Sequence, residues 1–91
     1  MIKVKNLNGT YDNKVPAGYS SWLDFWEKKS GKRAEKCGRN GCIKKATDGA
    51  HVQKADSNDN RWYIVPLCHE CNMKPSSEEF YVNEILVPVR D

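Results

Sequence analysis

The chain of 91 residues has no apolar run of membrane-spanning length, and its start, MIKVKNLNGT, has none of signal-peptide length. These absences argue against a bilayer span and set the expectation of a cytoplasmic protein. Internal repeats and low-complexity tracts are missing too, so residues 1–91 read as one domain. Apolar residues are scarce: 38% of the chain is hydrophobic against 30% charged, and the mean hydropathy is −0.80. The composition is still not that of a disordered chain, because three Trp, four Tyr and two Phe are present to carry a core. A chain this short buries a smaller share of its surface than a larger one, so a covalent or metal staple is expected.

The four cysteines supply the candidate staple. Residues 62–72, WYIVPLCHECN, run from a mostly apolar stretch into Cys68 and Cys71. Two intervening residues make a tight knuckle in which backbone N–H groups face the sulfurs and both thiolates reach one tetrahedral ion. Cys37 and Cys42 form a second pair, CGRNGC, with two glycines and an asparagine to fold the backbone round a metal. One structural zinc held by Cys37, Cys42, Cys68 and Cys71 is the favoured reading, with two disulfides as the alternative. A thioredoxin-type redox role for Cys68 and Cys71 fails on context, since Pro75 follows too soon for the long helix such a motif opens.

Net charge is only +3, but it is unevenly spread. Residues 27–45 hold Lys28, Lys29, Lys32, Arg33, Lys36, Arg39, Lys44 and Lys45 against Glu27 and Glu35, whereas residues 70–91 are acidic on balance. An anionic partner for one face, or simply a solvated surface, accounts for this asymmetry.

Along the chain, Ile2, Val4 and the intervening lysines alternate as in a short edge strand, and Asn8-Gly9 supplies a turn. Residues 10–19 read as a loop. Ser20 or Ser21 caps a helix in which Trp22, Leu23, Phe25 and Trp26 cluster as core, Lys28 and Lys29 suit the last turn, and Gly31 is the stop. Residues 49–54 and 61–67 make a β-hairpin round the turn segment 55–60. A short helix over 72–74, a helical turn at 76–79 and an extended segment over 81–89, lying beside the first strand, complete the expectation.

The order knuckle, hairpin, knuckle, short helix is that of a treble-clef zinc finger, with an extra N-terminal strand and helix, in the α+β class. Within about 37–75, GAHV followed by YIVPLCHECN and Lys74 resembles the HNH endonuclease family and its ββα-metal core. The resemblance implies that His51 is the general base that activates water, since neutral imidazole accepts a proton near physiological pH. It implies that Asn72 touches a divalent cation such as Mg²⁺ and that Lys74 contacts phosphate. Two family features are absent: the acidic residue usually found before the histidine is Ala50 here, and the asparagine that orients the base is Tyr63. Asp48, Asp56 or Asp59 can supply a carboxylate from elsewhere. Alternatively His51 donates a hydrogen bond to a cysteine sulfur or a carbonyl, or is itself a zinc ligand; His69, inside the knuckle, is expected to point outward.

These departures favour a zinc-stapled, HNH-like binding module without nuclease activity that contacts DNA or RNA through Lys32, Arg33, Lys36 and Lys74. The alternatives are a small metal-dependent endonuclease using His51 and Asn72, and a domain that binds an acidic protein.

Overall fold

The computed structural model describes residues 1–9 and 14–89; the first part of the expected 10–19 loop lies outside the described residues. Alternating Ile2, Val4 and Asn6 against Lys3 and Lys5 gives β1 (Ile2–Asn6), with Val4 and Asn6 fully buried. Helix α1 (Trp22–Ser30) starts at Ser21, whose hydroxyl accepts from the Asp24 N–H at 3.0 Å, while the Asp24 carboxylate accepts from the Ser20 N–H at 3.0 Å. It stops at Gly31, which takes a left-handed φ of 74° and donates its N–H to Glu27 at 2.9 Å. The hairpin is β2 (Asp48–Lys54) and β3 (Tyr63–Leu67), followed by α2 (His69–Asn72), β4 (Phe80–Val82) and β5 (Val87–Pro88).

The strands form one antiparallel sheet in the order β4-β1-β2-β3-β5. β1 is therefore not an edge strand: it lies between β4, through Ile2 opposite Val82, and β2, through Asn6 opposite Val52. The final extended segment divides, because β4 pairs with β1 while β5 crosses to β3, Val87 facing Ile64. Both edges are protected. Asn40 and Asn83 tie the outer side of β4 to the segment around Gly38, through Asn40 N–H to Tyr81 and Asn83 N–H to Gly38, each 2.8 Å. β5 carries Pro88, which has no N–H to offer a further strand. The helix expected over 72–74 begins earlier, at His69, because Asn72 N–H already bonds to Cys68 at 3.0 Å. Residues 76–79 form no helix; Glu78 N–H closes a turn on Pro75 at 2.9 Å.

The two sheet faces carry separate cores. One packs Val4, Ala50, Val52, Tyr63, Val65, Leu67, Phe80 and Val82 around the cysteines. On the other, α1 covers Ile64 and Val87 with Phe25 and Trp26, and the Trp26 indole N–H reaches the Ile85 carbonyl at 2.7 Å. α1 approaches β2 so closely that a Cβ on Gly49 would lie 2.4 Å from the Trp22 carbonyl carbon and 2.5 Å from Leu23 N. Only glycine fits at that crossing. No helix among the described residues is long and apolar enough to cross a membrane.

Candidate metal centre and the adjoining cleft

The first knuckle hangs from a two-stranded neck in which Cys37 N–H bonds to Lys44 at 2.8 Å and Ala46 N–H to Glu35 at 2.9 Å. Gly41, at φ 85°, turns the loop, and Cys42 N–H returns to Arg39 at 3.1 Å. Gly38 lies flat on β3, its N–H 2.7 Å from the Pro66 carbonyl, where a Cβ would come within 2.9 Å of the same oxygen. β3 ends by delivering Cys68, and α2 places Cys71 one turn later. The metal-binding sulfurs of Cys37, Cys42, Cys68 and Cys71 all lie within 4.8 Å of one another. The Cys42 and Cys68 sulfurs are 3.9 Å apart, near the edge of about 3.8 Å that metal–sulfur bonds of ~2.3 Å give a tetrahedron. All four thiols are free, and that separation is far beyond a disulfide bond of about 2 Å.

Burial pushes the Cys71 thiol up to about 12 and raises that of Cys37. Burial also works against the Cys68 thiolate, but a backbone hydrogen bond from Cys71 and the neighbouring thiols hold its pKa below the ordinary value. A bound divalent ion deprotonates coordinating thiols outright. The four cysteines are thus placed to bind a single metal ion.

A cleft of about 450 Å³ opens beside this centre, where the N-terminus of α1, the start of β2, the C-terminal end of α2 and the turn after β1 meet. Asp48 organises its polar wall. Its Oδ1 accepts from the Thr47 hydroxyl, and its Oδ2 accepts from the Asn72 amide and contacts His69 Nδ1, each at 2.9 Å. Burial opposes ionisation of Asp48, yet the hydrogen bonds from Asn72, His69 and Thr47 outweigh it and hold the carboxyl below its usual range. His51 lines the same cleft. It is 5% exposed, with the Trp22 ring edge-on at 4.6 Å and Trp62 at 6.0 Å, and its Nε2 is buried without a hydrogen-bond partner among the described residues. Burial alone pushes the imidazole pKa down, so His51 is neutral at physiological pH.

The expected residues fall out as follows. Asn72, His51 and Asp48 all line the cleft, and the Asp48 carboxylate accepts from the Asn72 amide. Asp56 pairs with Lys3 at 3.1 Å, and Asp59 is taken by Arg61, Lys54 and the Tyr63 hydroxyl, so neither belongs to the cleft. The Tyr63 hydroxyl thus bonds Asp59 and not His51. Ala50 sits in the cysteine-side core at 1% exposure, on the sheet face opposite His51. His51 Nε2 bonds no cysteine sulfur and no carbonyl, and His51 is not part of the metal-ligand group. His69 points outward as expected, but its ring is tied to Asp48. Lys32 pairs with Glu84 at 2.9 Å and Lys74 with Glu78 at 2.7 Å, whereas Arg33 and Lys36 are exposed with no ion pair among the described residues.

Sequence reading missed Asn6. Fully buried, it donates its amide to the carbonyls of Cys71 at 2.9 Å, Lys74 at 3.0 Å and Asn72 at 3.2 Å, closing the C-terminal end of α2. The signal was an amide on the inward side of an alternating strand, in line with Ile2 and Val4. No protein-family model, curated protein or solved structure matches the chain.

Proposed function

We propose that this chain is a zinc-stapled treble clef of HNH-like form and that its cleft makes it a small metal-dependent nuclease. The observation that carries the reading is the Asp48 carboxylate, hydrogen-bonded to Asn72 on the wall of the cleft that His51 lines. The carboxylate missing at position 50 is thereby supplied from two residues earlier on the same strand. The order of knuckle, hairpin, knuckle and short helix supports the treble clef, and four cysteines at these spacings support zinc over harder ions.

A divalent cation fits the polar wall: the Asp48 carboxylate and the Asn72 amide oxygen are the hard donors such an ion prefers, and among the described residues no lysine or arginine lines the cleft to repel it. Bound there, it supplies charge neutralisation for a phosphodiester undergoing attack. The chain's own residues do the rest. His51 Nε2, neutral and free of other partners, accepts a proton from water. His69 and Thr47 hold the Asp48 carboxylate in place, and Asn6 fixes the backbone on which Asn72 stands. Trp22 walls the imidazole from bulk solvent.

The test is incubation of supercoiled plasmid with the zinc-loaded protein and Mg²⁺, Mn²⁺ or Ni²⁺. Nicking that needs the added cation and disappears in His51→Ala supports the nuclease. A second reading, a binding module without catalysis, is favoured by the 5% exposure of His51 and by the commitment of the Tyr63 hydroxyl to Asp59. Salt-sensitive DNA or RNA binding with no cleavage under any cation selects it.

A further inference from the structure

We propose that Lys36 and Lys45 form a two-lysine clamp for one phosphodiester of a nucleic-acid strand, anchoring that strand beside the cleft. This rests on the nuclease reading above and gives it a substrate contact.

The neck of the first knuckle places Lys36 directly opposite Lys45 in an antiparallel bridge. The flanking bonds, Cys37 N–H to Lys44 and Ala46 N–H to Glu35, make it the closely spaced, non-hydrogen-bonded kind of pair. Such residues have Cα atoms about 4.5 Å apart and side chains on one side of the ladder. Both lysines are exposed, and neither meets a carboxylate among the described residues. Of the basic residues around them, Lys28, Lys32, Lys44 and Lys74 each have an acidic partner, in Asp24, Glu84, Glu70 and Glu78, while Arg33 has none among the described residues but does not face a second cation across a ladder. Like charges facing each other across a ladder are unfavourable unless an anion lies between them. The neck is held at one end by Cys37 of the metal centre, so the two ammonium groups spring from a fixed base.

Position gives the clamp its use. Among the described residues the cleft has no cationic side chain of its own, so a polyanionic strand needs an anchor outside it. Lys45 lies three residues before Asp48, a reach of at most about 10 Å of extended chain. Successive phosphates of one strand advance about 3.4 Å each along the axis. A strand whose phosphate is held in the clamp therefore has its neighbouring nucleotides within reach of the cleft.

The experiment is fluorescence anisotropy of a labelled DNA duplex with the full zinc-loaded chain over a salt series. Lys36→Gln with Lys45→Gln is compared with Lys3→Gln plus Lys54→Gln, which removes the same charge from lysines paired to Asp56 and Asp59. The clamp pair is expected to weaken binding about tenfold at low salt and to lower the slope of log affinity against log salt by about 0.9, one phosphate contact. One metal per chain in each variant shows that the fold is kept. Unchanged affinity and slope in the clamp pair, or equal loss in the control pair, overturns the clamp while leaving the nuclease reading standing. Competition by polyglutamate as effective as by DNA also overturns it, in favour of an acidic protein. No DNA binding by the unsubstituted chain at low salt overturns the clamp and the nuclease reading together.

Discussion

Among the described residues two buried side chains, His51 and Asn6, leave a polar atom without a partner, and they do so for different reasons. Asn6 spends its amide N–H groups on three carbonyls, which no aliphatic residue can replace. Asn6→Ala is expected to destabilise the zinc-loaded protein by about 1–3 kcal/mol, the cost of leaving buried acceptors unmet, measured as a lower urea midpoint at constant slope. His51 has no such structural duty at Nε2. Because burial lowers its pKa, the unfolded chain takes up a proton near pH 6.5 that the folded chain refuses. Stability is therefore fully present above that pH and is lost as pH falls through the lower, folded value. His51→Leu should remove this component, so the stability difference between the two proteins narrows or reverses as the pH is lowered from 7 to 5. A wild-type pH dependence that His51→Leu leaves unaltered would contradict it.

At the scale of elements, the site depends on how tightly α1 lies on β2. Gly49→Ala would drive a methyl into the backbone of Trp22 and Leu23, which cannot yield as a flexible side chain can. A loss of roughly 1–3 kcal/mol is expected, with tryptophan fluorescence shifting as Trp22 moves off His51. An unshifted spectrum and unaltered stability would show that the crossing is looser than described. The helix itself was legible in the sequence, because Ser21, Asp24 and Gly31 are local signals and the aromatic residues mark one face. So was the hairpin. The place of β1 inside the sheet was not, since pairing with β4 depends on residues 76 to 80 positions away, and local alternation is the same for an edge and an interior strand. The carboxylate was legible only in part. Asp48 stood out as one of three candidates, but its choice over Asp56 and Asp59 needed the register that sets Asp48 beside Asn72 and commits the others to Lys3 and to Arg61.

For the molecule as a whole, the cysteine centre is the staple that a small polar chain requires. Cys37, Cys68 and Cys71 belong to the same buried cluster as Val4, Val65 and Leu67, so the metal and the core hold each other. One zinc per chain is expected by elemental analysis, and strong chelation should unfold the protein, because metal affinity contributes directly to folding in such domains. Cys68→Ser should unfold it to a similar extent; a chelated protein that keeps its near-ultraviolet circular dichroism would refute this. The chain then presents its cleft on a scaffold set by the cysteine centre at one end and by α1 at the other.

The measurement that bears most directly on the proposed activity is plasmid nicking by the zinc-loaded protein titrated with Mn²⁺, for the unsubstituted chain beside Asp48→Asn. Asparagine keeps the size of the side chain while removing the charge that would hold the cation. The account predicts cation-dependent nicking by the unsubstituted protein and a loss of at least a hundredfold in Asp48→Asn at unchanged zinc content. Equal nicking by the two proteins, or none by either, would contradict it.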